Sequence, residues 1–326
     1  MTIIRKKYGR FQQYIQHGDV LWRILLACIA ILVLLIVLAI GWTVWRDSAA
    51  SRQAFGASFF LPTGDAAWNP VTDTYNAWSI IVGTITTSVF AILLAAPLSI
   101  FIAIFLAELC PMWLRTPVNF VIEMLAAIPS VVLGLWGIFA FLPIVVVPLG
   151  QFLGNTLGFI PLFHGPIPAS GTSRLAAILI LTIMIIPTIT ALTRDVLRTI
   201  PDSQREASFA LGSTQWETIW QVLLPASMSG ILGAVILGLG RAIGETMAVT
   251  MVIGNNTVES SGSLLKPGAT LASTIANQFA EAVSPMHSSA LIELGLILFL
   301  ITLGLNMGAR LLVYQVQRRV PAEARA

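Results

Sequence analysis

The stretch Arg198-Thr-Ile-Pro-Asp-Ser-Gln-Arg-Glu-Ala-Ser-Phe-Ala-Leu-Gly-Ser-Thr-Gln-Trp-Glu-Thr-Ile-Trp-Gln-Val-Leu-Leu-Pro225 separates two long apolar runs, Leu175 to Leu197 and Met228 to Ile253. It is punctuated as two short helices. Pro201 with Asp202 suits a helix start, Glu206 to Leu211 continues it with the small residues Ala207 and Ala210, and Gly212 suits the left-handed position that ends a helix. Thr214 and Glu217 then have the spacing of a capping box, and Ile219, Trp220, Leu223 and Leu224 run on to Pro225. A short helix with small side chains and an exposed Phe209 is suited to a partner's groove, because small residues allow close backbone approach. The same residues also allow a plain interfacial loop.

The rest of the chain supplies a membrane setting. Of 326 residues, 56% are hydrophobic and 10% charged, against roughly 25% charged in a soluble domain. Lipid can solvate such a chain if apolar runs of about 20 residues satisfy their own backbone as helices. Six runs qualify, near Leu21 to Trp45, Trp78 to Leu109, Val118 to Leu142, Leu175 to Leu197, Met228 to Ile253 and Ser288 to Val313. The first is too long for a cleaved signal core and reads as a retained anchor. The loop from Pro143 to Ser173 has no charged residue, and its apolar pieces are expected to dip into the interface without spanning. Pro97 and Pro187 are expected to bend their helices.

Charge then orients the runs. Arg5, Lys6, Lys7, Arg10 and Arg23, the loop residues Arg115, Arg194, Arg198 and Arg205, and Arg310, Arg318, Arg319 and Arg325 all fall on one side. The positive-inside rule makes that side cytoplasmic, with both termini there. The net charge of +3 is thus a topology signal and not the footprint of a nucleic-acid partner. The expected division is 1–77 for the N-terminus, first helix and outer loop, 78–314 for the permease core, and 315–326 for a cytoplasmic tail.

The fifth run contains Gly238-Leu-Gly-Arg-Ala-Ile-Gly-Glu-Thr-Met-Ala-Val249, which places Arg241 and Glu245 one helical turn apart at membrane depth. An arginine there costs roughly 2.5–3.5 kcal/mol on insertion scales, so it must face protein or water. Gly240 and Gly244 would let a neighbouring helix approach closely. Three readings fit: an anion path in which Arg241 offers a fork of donors to a tetrahedral oxyanion and Glu245 partly neutralises it, a permanent ion pair, or a proton relay.

Resemblance narrows these readings. Glu206-Ala207-Ser208, Gly212, then Val222, Leu224 and Pro225 resemble the EAA loop of ATP-binding-cassette (ABC) importer permeases, with Ser208 in place of an alanine and Val222 in place of an isoleucine. The Gly238 to Val249 stretch, with Ala126-Ala-Ile-Pro-Ser-Val-Val-Leu-Gly-Leu-Trp136 and Ala290-Leu-Ile-Glu-Leu-Gly-Leu-Ile-Leu298, resembles the PstC family of phosphate-importer permeases over roughly Tyr75 to Arg310. The continuation Met247-Ala-Val differs from the Ala-Pro-Leu of the sister PstA family.

The resemblance implies an all-α type I (MetI-like) permease core with an added N-terminal helix, in the bacterial inner membrane. It implies a heterodimer with PstA, two copies of the ATPase PstB holding ATP and Mg, and a phosphate-binding protein PstS outside. Arg241 and Glu245 would act in the substrate pathway. Glu206, Ala207, Ser208, Gly212, Leu224 and Pro225 would couple to the ATPase. Consistent with that division, no Gly-x-x-x-x-Gly-Lys-Ser/Thr phosphate loop occurs, so no catalytic residue and no cofactor is expected in this chain. The competing classes are a permease for sulfate or molybdate, a secondary anion carrier, and an intramembrane protease; for the last, neither a Ser/Lys dyad nor a double-Asp arrangement is present in the helices.

The remaining candidates have plainer readings. Glu123 near a cytoplasmic end and Glu293 near an outer end either border an ion path or reach water. Glu108 closes the second helix. His17, His164 and His287 lie on different sides and cannot form one metal site. Cys28 and Cys110 have neither disulfide context nor ligand spacing. Trp22, Trp42, Trp45, Trp68 and Trp78 read as interface anchors. Glu259, Lys266, Asn277, Glu281 and Met286 to Ser288 fall in the last outer loop, where a binding protein could dock.

Overall fold

Backbone groups in lipid must pair within the chain, and here they do so almost entirely as helices. The computed structural model describes residues 2–62, 68–258 and 262–319, of which 2–19, 21, 312 and 315–319 are described by their backbone alone. Six helical spans among them are long and apolar enough to cross a membrane: Trp22–Asp47, Trp78–Leu109, Ser130–Leu157, Arg174–Arg198, Gln215–Gly244 and Pro285–Leu311. The helices in chain order are α1 (Thr2–Asp47), α2 (Ala49–Phe55), α3 (Trp78–Ile104), α4 (Met112–Ala127), α5 (Ser130–Trp136), α6 (Val147–Leu157) and α7 (Arg174–Arg198). They continue as α8 (Asp202–Ala210), α9 (Gln215–Thr218), α10 (Leu224–Gly244), α11 (Met247–Val252), α12 (Leu271–Gln278) and α13 (Pro285–Arg319).

The count of six agrees with the sequence reading, but the third span does not lie at Val118 to Leu142. Met112 to Ala127 forms the separate helix α4, Pro129 starts a new helix, and the chain then crosses from Ser130 to Leu157. Pro143 was expected to open a loop. Instead it lies in a ten-residue π-helical stretch, Gly137–Val146, that joins α5 to α6. The wider turn shifts each bond to the fifth residue back, as in Val147 N–H to Leu142 O, and so relaxes the clash a proline ring makes in a tighter helix. A second π turn, Ile219–Leu223, runs into α10 with Pro225 in its first turn, so Pro225 also fails to end a helix.

The core is the α3–α7 pair. The inward face of α3 is a stripe of small residues, Thr84, Ser88, Ala91, Ala95, Ser99 and Ala103, three to four positions apart. Such residues bring backbones close where lipid supplies no hydrophobic drive. Three hydroxyl bonds stitch the seam: Thr182 to Ala91 O (3.4 Å), Ser99 to Ile186 O (3.3 Å) and Thr190 to Ser99 O (3.4 Å). Helix α7 starts on the Ser173 side chain, which accepts from Ala176 N–H. Arg174, in the first turn of α7, is 1% exposed and donates to Ser263 O.

Helix α10 packs on α7 through glycines other than those the sequence suggested. A Cβ at Gly238 would stand 2.7–2.8 Å from Ile185 and Ile189, whereas nothing lies within 4 Å at Gly240 or Gly244. Gly238→Val is therefore expected to destabilise the isolated chain by about 1–3 kcal/mol through overpacking. Gly240→Val should leave its thermal midpoint in detergent unchanged, and circular-dichroism melting curves compare the two.

At the outer end, the segment after α1 folds back as a cap. Phe59, Trp68 and Tyr75 pack against Leu271, Ala290 and Leu294. Trp68, read as an interface anchor, is 3% exposed, and its Nε1 donates to Gln278 Oε1 at 2.7 Å. His287 is buried at the start of α13, stacked on Tyr75, so Met286 to Ser288 are helical and not loop. Burial and the hydrogen bond to Asp73 push the Tyr75 phenol above its ordinary pKa. The apolar length of α1 itself stays exposed and meets the rest at Phe299 over Gly41.

Candidate functional site

Helix α10 stops at Gly244, Glu245 is extended, and the helix resumes at Met247. Arg241 stands in the last turn of α10, where a cation complements the helix dipole. Its Nη1 donates to Thr188 Oγ1 at 3.0 Å. Thr188 is fourteen residues into α7 and ten from its end, so the contact lies about 15–20 Å from either end of that helix. That puts the guanidinium level with the middle of the Arg174–Arg198 span, on a face where Arg241 and Gly244 are exposed and nothing lies within 4 Å of a Cβ at Gly240 or Gly244.

The expected Arg241–Glu245 pairing is not formed among the described residues. Glu245 Oε1 instead accepts from Ala248 N–H at 3.4 Å, satisfying one of the free amides of α11. The break between α10 and α11 takes Glu245 off the helical face that carries Arg241. What the site offers is a fork of donors held at one corner by a neutral hydroxyl, with its other donors unpartnered among the described residues.

The Arg198 to Pro225 segment folds as its punctuation indicates. Helix α8 covers Asp202–Ala210, and Gly212 takes φ +87°, a conformation that would strain any residue with a Cβ. Thr214 and Glu217 form the capping box, with Thr214 N–H to Glu217 Oε2 at 2.8 Å and Glu217 N–H to Thr214 Oγ1 at 3.3 Å. Glu206, Ala207, Phe209 and Leu211 are exposed; Leu211 is 88% so. Ser208 turns inward and shares a 2.9 Å hydrogen bond with Thr218, tying α8 to α9. Leu224 is buried with Ile104, Leu197 and Ile219 at the base of the segment, and Pro225 lies exposed beside it.

A contact the sequence reading missed anchors α8. Arg205 Nη2 and Nε reach the two oxygens of Glu108 at 2.8 and 3.3 Å, across 97 residues. The same guanidinium donates to Ile200 O, Leu197 O and Asp202 Oδ1. Glu108 lies in the π turn Phe105–Leu109 that ends the second span, so one side chain joins the ends of α3 and α7 to the start of α8. The Glu108 carboxylate, hydrogen-bonded to it, holds Arg205 still more firmly protonated than usual. Taken singly, Arg205 was a topology charge and Glu108 a helix end. Nothing in one sequence couples positions so far apart.

The other candidates separate. Glu123 pairs with Arg194 at 3.6 Å. Glu293 does not reach water: it is fully buried on α13, close to Ser51 and Arg52 of α2. His164 is exposed, the His17 side chain and Glu259 lie outside the described residues, and no group of three potential metal ligands occurs among the described residues.

Residues 99–321 match the family described as binding-protein-dependent transport system inner membrane component. A "Phosphate transport system permease protein PstC" of Xylella fastidiosa is 42% identical over 307 residues, 93% of each chain. Another protein of that name, from Pasteurella multocida, is 44% identical over 321 residues, 97% of this chain and 99% of its own. A solved bacterial ABC transporter involved in import of the acidic polysaccharide alginate shares the fold, with a TM-score of 0.55 over 88% of this chain and 96% of that one at 14% identity. A match over more than half of the chain, relatives aligned almost end to end and six apolar spans agree, and the chain belongs to the inner-membrane permease components of binding-protein-dependent ABC transport systems.

Proposed function

We propose that this chain is one permease subunit of an ATP-driven importer of inorganic phosphate, with Arg241 in the anion path and α8 as the handle by which a partner ATPase moves it. The observation that carries the reading is the near mid-membrane guanidinium held by a neutral hydroxyl on an exposed face. A permanent ion pair would have consumed that charge. An unpaired cation in a pathway lowers the barrier to an anion, and the planar fork suits tetrahedral oxygens. The relatives' name supplies phosphate as the substrate. The exposed Gly240–Gly244 face is where a sister permease would complete the path.

In this reading the α8 side is cytoplasmic, as its arginines suggest, and both termini lie there. ATP and Mg belong to the partner ATPase. A binding protein delivers the anion from outside, and reorientation of the two permease subunits exposes the path to each side in turn. Radiolabelled phosphate uptake into vesicles carrying the permease pair, ATPase and binding protein tests the assignment. Uptake that needs ATP and resists excess sulfate is expected. Inhibition by equimolar sulfate would transfer the assignment to a broader oxyanion importer, and uptake without ATPase would make the chain a secondary carrier.

Phe209 is expected to be the anchor of α8 in the ATPase groove, because it is 48% exposed yet apolar at the end of the helix. Phe209→Ala should weaken ATPase co-purification about tenfold or more, the scale of a buried aromatic hot spot. The stability of the permease chain should not change, since the ring makes little of its fold.

A further inference from the structure

A cavity of about 610 Å³ opens between the first turn of α4 and the junction of α7 with α8. Its walls carry Arg115, Arg198 and Arg205 with Glu108 and Asp202, which leaves one surplus positive charge. Arg205 is consumed by its two carboxylates. Arg115 bonds the Ala107 carbonyl through Nη2, while its buried Nε has no partner. Arg198 has no side-chain hydrogen bond or ion pair among the described residues. Met112 on the wall is 81% exposed, and Trp113, the next residue of α4, is 77% exposed. The cavity lies at the Leu109 end of the Trp78–Leu109 span and the Arg198 end of the Arg174–Arg198 span, the level at which headgroups are expected, so Arg198 and the partly bonded Arg115 stand beside the exposed Met112.

We propose that this cavity seats the phosphodiester headgroup of an anionic phospholipid, with Arg115 and Arg198 on its oxygens and the acyl chains over Met112 and Trp113. A phosphodiester carries one negative charge, which matches the surplus, and basic pockets between membrane helices hold such groups. A free phosphate ion offers the same oxygens but carries more charge and no chain to cover Met112 and Trp113. The bound lipid would brace α4 against the base of α8. The inference stands on this geometry and does not depend on which anion the importer carries.

Native mass spectrometry of the purified chain, loaded with phosphatidylglycerol or with zwitterionic phosphatidylcholine, tests it. Phosphatidylglycerol is expected to be retained about tenfold or more over phosphatidylcholine. Arg115→Gln with Arg198→Gln should erase that preference, while Arg115→Lys with Arg198→Lys keeps most of it. Equal retention of the two lipids by the wild type, or an unchanged preference in the glutamine double variant, overturns the proposal. So does displacement of phosphatidylglycerol by millimolar inorganic phosphate, which would make the cavity a site for the soluble ion. If the glutamine variant does not fold, the wild-type lipid comparison and the phosphate arm decide.

Discussion

Arg241→Gln is expected to lower ATP-dependent phosphate uptake about 100-fold or more, with membrane insertion and ATPase association unchanged. A hydrogen bond to a charged group contributes about 1.5–3 kcal/mol. Two such bonds from one guanidinium to a passing oxyanion come to about 3–6 kcal/mol, and 1.4 kcal/mol is a factor of ten. The charge itself adds to this in a dry constriction, where glutamine's neutral dipole does not replace it. Folding should tolerate the change for a reason visible in the structure. Among the described residues Arg241 bonds only the hydroxyl of Thr188, and Glu245 bonds the Ala248 amide, so no carboxylate there loses its counter-ion. Arg241→Lys keeps the charge without the planar fork and should fall between the two. Uptake that persists unchanged in the glutamine variant would remove Arg241 from the path and return it to a structural role.

The contrast between Arg241 and Glu245 shows where single-sequence reading works and where it stops. That Arg241 needs protein or water around it follows from the cost of charge in lipid, and the protein group beside it is the Thr188 hydroxyl. That Glu245 faces it assumed an unbroken helix, which the extended Glu245 contradicts. Apolar run length located four spans to within a few residues, because each is bounded by charge or by Gly, Pro and Ser loops, whereas the fifth, expected at Met228 to Ile253, runs from Gln215 to Gly244. The third failed because Pro143 was taken as a stop, whereas a π-helical stretch accommodates it. Short-range punctuation was the most legible part: the Thr214–Glu217 box and the Gly212 turn are local physics, within a few residues. Trp68, His287, Glu293 and the Glu108–Arg205 pair are long-range contacts, and a residue's type does not say which distant element will enclose it.

Glu108→Gln and Arg205→Gln are each expected to reduce phosphate moved per ATP hydrolysed at least tenfold while hydrolysis continues. The pair is largely shielded, with side chains 12% and 17% exposed, and removal of one partner from a buried ion pair costs about 3–5 kcal/mol because the other is left uncompensated. That loss falls on the joint between α8 and the ends of α3 and α7, not on the membrane core. Helix α8 would still meet the ATPase through Phe209 and Leu211, which the substitutions do not touch. Its displacement would no longer be carried into α3, whose small-residue seam with α7 leads toward Thr188, the partner of Arg241. The swap Glu108→Arg with Arg205→Glu discriminates charge from geometry. It restores the pair but not the donations to the Leu197 and Ile200 carbonyls, so coupling should recover only in part. Equal transport per ATP in wild type and both single variants would show that the Ser208–Thr218 bond and the Leu224 cluster alone hold α8, and the pair would then be a local staple without a part in coupling.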